Sequence, residues 1–211
     1  MGMQIQDLGV SLGLIAIILF SLAVHEYAHA LVASIFGDPT AKLEGRQTIN
    51  PIAHWDPIGT SLLVGLLLLR AFGAAVPVFG WGKPVPVNED NFDNPRLHGL
   101  QVALAGPFSN FLLAVVFALL ATALRGIPFW PELMVSAVFL NVFLMFFNLL
   151  PVPPLDGSRI LRLFMSDQTY FALSSNPVIF FLLIFFALSF LMDPIADVSF
   201  RLTQQLLAIG F

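Results

Sequence analysis

Long apolar runs alternate along the chain with shorter polar or proline-rich stretches. The apolar segments lie at about 8–36, 58–79, 100–124, 132–150 and 176–192, separated by 37–56, 80–98, 125–131 and 151–175. At about 1.5 Å per residue, each is long enough to be a candidate membrane span. Leu8–Phe36 is much longer than a signal-peptide core, and Met1–Asp7 has no basic residue, which predicts a retained helix.

The second apolar segment differs from the others. Arg70 interrupts it, and the Gly/Pro-rich run from Gly73 to Val87 follows at once, which will not continue a helix. Val76, Val78, Val85 and Val87 alternate with prolines and glycines. That alternation predicts a short β-hairpin over 76–87, buried in protein or lining a wet cavity, with one edge open to another extended chain. After Asp193, Ile195, Val198, Leu202, Leu206 and Ile209 recur at spacings of three or four, predicting a helix that lies at the interface or packs as a terminal helix. The fold class is an all-α polytopic membrane protein, one domain over 1–211. About four full spans and a re-entrant segment bearing the hairpin are expected.

Composition strengthens the membrane reading. Hydrophobic residues make up 58% and charged residues 10% of the chain, against about 25% charged in a soluble domain. Mean hydropathy is +0.88. The net charge of −4 leaves no basic stripe for a nucleic-acid backbone. With no cysteine, any metal must be held by His, Asp or Glu.

The candidate chemistry sits in the first helix. His25-Glu26-Tyr27-Ala28-His29 matches H-E-x-x-H, placing two imidazoles one turn apart on one face. That geometry suits zinc, with Glu26 placed to take a proton from water. Ionisable groups inside an apolar helix need mutual pairing, a wet cavity or a metal, so a buried His/Glu hydrogen-bond cluster is the plain alternative. Far along the chain, Asn148-Leu-Leu-Pro-Val-Pro-Pro-Leu-Asp156-Gly157 breaks a span at its boundary. Asp156 is there either a third ligand or an N-cap. His54 and His98 fall in polar loops without an i, i+4 partner and are expected to be solvated or capping residues.

With both elements in view, the sequence resembles the site-2 protease family of intramembrane zinc metalloproteases. Gly106-Pro107-Phe108-Ser109-Asn110 is similar to the family's G-P-x-x-N element, and Asn50-Pro-Ile-Ala-His54-Trp-Asp56-Pro-Ile-Gly-Thr60 to a segment of its compact members. The resemblance spans about residues 8–165. It implies one zinc per chain held by His25, His29 and Asp156, with Glu26 activating water and Asn148 donating to the oxyanion. Gly106 and Asn110 would support the site by close helix approach, or would serve helix packing alone. The substrates implied are transmembrane segments of other proteins; separately, the alternation of Val76, Val78, Val85 and Val87 offers an extended edge to hold an unwound substrate strand. No appended PDZ-like or CBS-like domain is visible.

Topology follows from parity. His25 lies roughly 17 residues, or about 26 Å, into its helix, and Asp156 just past the end of another, so the two helices run parallel. The segments 100–124 and 132–150 supply the return pair of crossings, which makes 58–98 enter and leave on one side. Lys42, Arg46, Arg70, Lys83, Arg96, Arg159 and Arg162 then share the active-site side, against Arg125 and Arg201 opposite. The positive-inside rule makes that side cytoplasmic, in the simplest case at a prokaryotic inner membrane. A zinc transporter is the rival reading, but it needs a second polar cluster that the chain lacks. A silent helix-binding scaffold is another, although it has no physical need for Glu26 beside an intact ligand set.

Overall fold

The computed structural model describes residues 5–209, and all regular structure among them is helical. The helices are α1 (Ile5–Ile35), α2 (Thr40–Leu43), α3 (Gly59–Ala71), α4 (Pro95–Ala123), α5 (Trp130–Asn148), α6 (Asp167–Ser175), α7 (Pro177–Phe186) and α8 (Met192–Ile209). Short 3₁₀ turns cover Pro51–His54, Glu89–Asn91 and Asp156–Leu163, and a π turn, Ala187–Leu191, joins α7 to α8.

Helices α1, α4 and α5 form the frame. Ala114, Phe117, Ala118 and Ala121 of α4 interlock with Met134, Ala137, Val138 and Val142 of α5, with Ile17 of α1 and Leu202 and Leu206 of α8 against them. Lipid tails are as apolar as these side chains, so association rests on close van der Waals fit, which the alanines permit. Along α1, Ile17 packs near α4 residues 114–121, His25 reaches Asn110, and Ala33 meets Val102. Helices α1 and α4 are therefore antiparallel. Asn110 also bonds Asn141, about midway along α5, and a short connection links α4 to α5, so these too are antiparallel. Consequently α1 and α5 run parallel, as the parity of crossings requires.

Among the described residues, three helices are long and apolar enough to cross a membrane: Gly9–Ile35, Pro95–Ala123 and Trp130–Asn148. The expected fourth span, 176–192, is divided between α7, about 15 Å long, and the π turn. Pro194 has no N–H to continue the i−4 ladder, which explains the wider turn preceding it. Helix α8 is not an isolated interfacial helix: Ile195, Ser199 and Thr203 are buried on the face it turns to α4 and α5.

Residues 37–94 leave α1 and return to α4 at the same end of the bundle, where Ala33, Phe92 and Val102 cluster. Within this stretch α3 is about 20 Å long, short of a crossing. Gly37, at φ +96°, ends α1 in a Schellman turn, with Asp38 N–H donating to Ala33 O and Gly37 N–H to Ser34 O. Gly45, at φ +67°, ends α2 in the same way and sets Arg46 N–H on Ala41 O. Asp38 and Arg46 are thereby turned back into the protein, and both are buried.

The β-hairpin expected at 76–87 does not form, and no strand is present among the described residues. Pro77, Pro84 and Pro86 remove donors a ladder needs, and loops and side chains take several of the groups that are left. Lys83 N–H donates to His54 O (2.9 Å), Val85 N–H to Glu26 Oε2 (2.7 Å), and Arg46 to the Lys83 and Pro84 carbonyls.

Asp38 anchors the end of this extended segment by accepting from Thr40, Asn88 N–H (2.8 Å) and Asn91 Nδ2 (2.8 Å). Burial alone would push its carboxyl up, but these donors outweigh burial and hold it below the ordinary value of 3.8. Its stabilising contribution is thus present above about pH 4 and lost as pH falls through the lowered value. Asp38→Ala should destabilise the protein by about 3 kcal/mol at pH 7, from donors left buried and unpaired. Thermal unfolding in detergent checks this, and the gap to wild type should close below about pH 4.

Candidate metal centre

Helical spacing puts His25 and His29 on the face of α1 that meets α4, and both are buried. The tautomers follow from the acceptors. His29 Nδ1 lies 2.7 Å from Val102 O, a carbonyl that can only accept, so Nδ1 carries the hydrogen. Asn141 Nδ2 donates to Ala137 O (2.9 Å), leaving Asn141 Oδ1 to accept from Asn110 Nδ2 (3.0 Å). Asn110 Oδ1 must then accept from His25 Nδ1 (2.7 Å). In both neutral rings the Nε2 lone pair is free.

Those two lone pairs face each other and one carboxylate. His25 Nε2 is 3.0 Å from His29 Nε2 and 3.1 Å from Asp156 Oδ2, and His29 Nε2 is 3.4 Å from Asp156 Oδ1. Asp156 Oδ2 is buried and accepts no hydrogen bond. A tetrahedral ion with bonds of about 2.0–2.1 Å separates its ligand atoms by about 3.3 Å. The donor set and its spacing therefore fit zinc, with a fourth position left for water or substrate.

Two glycines let the backbone come close enough. A Cβ on Gly106 would stand 2.5 Å from His29 Nε2 and 2.6 Å from His25 Nε2, inside the space the imidazoles face. A Cβ on Gly157 would run into the Leu149 carbonyl, where the chain after α5 folds back to present Asp156. The 3₁₀ turn carrying Asp156 is held from below: Glu89 pairs with Arg159 and buried Arg162, and Arg162 Nε donates to Asp167 (2.7 Å).

Glu26 lies beside the ligand set. Val85 N–H caps its Oε2, and the carboxylate lines a cavity of about 410 Å³ together with His29, Asp156, Val85 and Val87. Glu89, Arg159 and Tyr170 also line it. The segment crossing Glu26 is held by the 50–60 element. Asn50 caps the 3₁₀ turn, Asp56 caps α3, and Thr60 Oγ1 donates to Trp81 O (3.1 Å), while Gly59 leaves no room for a Cβ under the Trp81 ring.

The structure thus brings together His25, Glu26, His29, Asp156, Gly106, Asn110, Val85 and Val87. It does not bring in Val76 or Val78, which are outside the cavity lining. Asn148 also lies outside that lining, with its amide donating to Leu144 O (3.0 Å) in its own helix. His54 and His98 stand apart from the ligand cluster, but neither is the solvated loop residue expected: His54 is buried in the 3₁₀ turn with Nε2 2.7 Å from Thr48 O, and His98 lies in the first turn of α4, half-buried by stacking on Phe36. Asn141, Arg46, the Val102 carbonyl and the Val85 amide are contributors that sequence reasoning did not assign. Asn141 carried a signal, since an amide inside an apolar helix needs a partner. The two backbone groups carried none.

Purified wild type should hold about one zinc per chain, and Asp156→Ala or Gly106→Ala should lose most of it while keeping wild-type helicity. Elemental analysis beside far-UV circular dichroism checks both.

The family model described as peptidase family M50 matches residues 13–129 and 128–192. Three relatives share the name "Putative zinc metalloprotease". To YwhC of Bacillus subtilis the chain is 41% identical over 161 residues, covering 71% of this chain and 67% of that protein. Rip2 of Mycolicibacterium smegmatis is 33% identical over 169 residues, with 79% and 62% covered. MJ0611 of Methanocaldococcus jannaschii is 30% identical over 168 residues, with 75% and 83% covered. The match spans about two thirds of the length of the first two relatives. No solved structure matches the chain. The matched stretches carry all three ligands as well as the helices that set their geometry, and the chain belongs to peptidase family M50, the site-2 protease family of zinc metalloproteases embedded in membranes.

Proposed function

We propose that this protein is an intramembrane zinc endopeptidase that cleaves transmembrane segments of other proteins near the cytoplasmic leaflet. The observation that carries the reading is Glu26. Its carboxylate faces the cavity beside three convergent metal ligands, held by one oxygen with the other unengaged. Neither metal transport nor passive helix binding needs a base there.

When bound, zinc supplies Lewis acidity that polarises a carbonyl and acidifies a water. The unengaged oxygen of Glu26 is placed to take a proton from an attacking water and to return it to the leaving nitrogen, and His25, His29 and Asp156 would hold the ion. His25 and His29 stay oriented because their Nδ1–H groups are committed to Asn110 and Val102. Asn148 is assigned the oxyanion contact, which requires its side chain to leave Leu144 O.

Residues 37–94 form a re-entrant unit on the cytoplasmic side in this reading. The exposed apolar Leu43, Ile49, Ile52, Ile58 and Phe72 support contact of that unit with lipid. A transmembrane helix hides its peptide bonds in its own hydrogen bonds, so cleavage requires local unwinding. The extended backbone at Val85 and Val87, lining the cavity, is the surface against which the unwound strand lies. The membrane is a prokaryotic inner membrane, with the excess of Lys and Arg marking the cytoplasmic side.

Glu26→Gln should keep its zinc and lose at least about 100-fold in cleavage of a membrane-span reporter in proteoliposomes. Wild-type turnover in that variant would remove Glu26 as base. Val87→Pro should weaken cleavage of a helical span far more than of a short unstructured peptide. Equal effects on the two substrates would remove the strand-gripping role.

A further inference from the structure

Arg46 is buried at 6% exposure, yet among the described residues no carboxylate pairs with it. Its Nη2 donates to two backbone carbonyls instead, Lys83 O at 2.7 Å and Pro84 O at 3.2 Å, and its Nε has no partner. A guanidinium largely withdrawn from water without a counter-ion is costly, and folding stability alone gives little reason to place one under a loop.

The carbonyl of Pro84 and the N–H of Val85 belong to one planar peptide group. Arg46 holds the oxygen end of that plane, and the nitrogen end donates to Glu26 Oε2 at 2.7 Å. The plane has little freedom to turn by other means. Pro84 locks its own φ, and Val85, preceding Pro86, is confined to extended conformations. Donating to the carbonyl also polarises the amide, strengthening the bond it makes to the carboxylate. Lys83 N–H on His54 O and Asn88 N–H on Asp38 pin the segment on either side.

We infer that Arg46 is a positioning residue for the proteolytic reaction, acting through the Pro84–Val85 peptide group to fix the Glu26 carboxylate with one oxygen tied and the other turned to the cavity. The inference rests on the reading of Glu26 as general base. Arg46 touches neither the ligands nor the reacting atoms. Its loss therefore lowers turnover without releasing metal.

The test is a double-mutant cycle between Arg46→Met and Val85→Pro, the latter deleting the N–H while keeping an extended backbone, on a membrane-span reporter in proteoliposomes. Arg46→Met should reduce kcat about tenfold, the effect of one hydrogen bond, with KM and zinc per chain unchanged. Arg46→Lys, which keeps a donor for the same carbonyls, should recover most of the loss. Val85→Pro, which also alters the surface proposed to hold substrate, should lose at least as much as Arg46→Met, and the double variant should be no slower than Val85→Pro alone. Additive losses of about a hundredfold, or wild-type kcat in Arg46→Met, would overturn the inference. If Arg46→Met does not fold, Arg46→Gln, whose shorter side chain withdraws from the Pro84 carbonyl, takes its place in the cycle with the same criterion.

Amide hydrogen exchange gives a readout independent of turnover. The Val85 amide should be protected in wild type and exchange at least about tenfold faster in Arg46→Met and in Glu26→Ala. Unchanged exchange in Arg46→Met would also overturn the coupling. Zinc-loaded wild type that cleaves no membrane segment would sink the protease reading instead, while the exchange experiment would still report whether Arg46 governs the Val85 amide.

Discussion

Two imidazole nitrogens and a carboxylate, with the Nδ1–H of each ring committed elsewhere, converge within 3.4 Å. Protein atoms alone do not favour that arrangement, whereas a divalent cation does. The rest of the structure serves to impose it. Asn141 commits Asn110, Asn110 commits His25, and the Val102 carbonyl commits His29, so each ring has only its Nε2 left to offer. In a low-dielectric interior such a chain must be satisfied at every link, because an unpaired member is costly. The order α1 against α4 against α5 is what this chain of hydrogen bonds requires.

Close approach of backbones is the second condition. Gly106 admits the two histidines against α4, and Gly157 lets the turn after α5 press on Leu149. Alanines in α4 and α5 bring the helices together where no hydrophobic force separates protein from lipid. The ion pairs of Glu89 with Arg159 and Arg162 then tie the Asp156 turn to the loop before α4.

The extended segment over Glu26 shows how prolines define a backbone that is neither helix nor sheet. Its few remaining N–H and C=O groups are directed at particular partners: His54 O, Glu26 and Arg46. Asn50, Asp56, Gly59 and Thr60 form the footing beneath it. That conserves one peptide plane at the carboxylate, a task a regular hairpin would share among many exchangeable hydrogen bonds.

The histidine pair was legible in the sequence because H-E-x-x-H has helical spacing, a local pattern whose geometry the backbone enforces. Asp156 was open between ligand and N-cap on local chemistry, and the family resemblance, not geometry, joined it to the pair. The long helices were legible as the histidine pair was, since twenty apolar residues have few alternatives. The hairpin at 76–87 was not, because alternation of valines cannot reveal that the prolines between them leave too few donors for a ladder. Division of 176–192 by a π turn depended on Pro194 reaching back one turn, beyond the apolar run itself. Asn141, Arg46 and the Val85 amide acquired their roles only where separate segments meet. Local chemistry along the chain determined which side chains are able to ligate a metal, and tertiary packing decided which tautomer, which carboxylate oxygen and which peptide plane face one another, because those choices depend on partners distant in sequence.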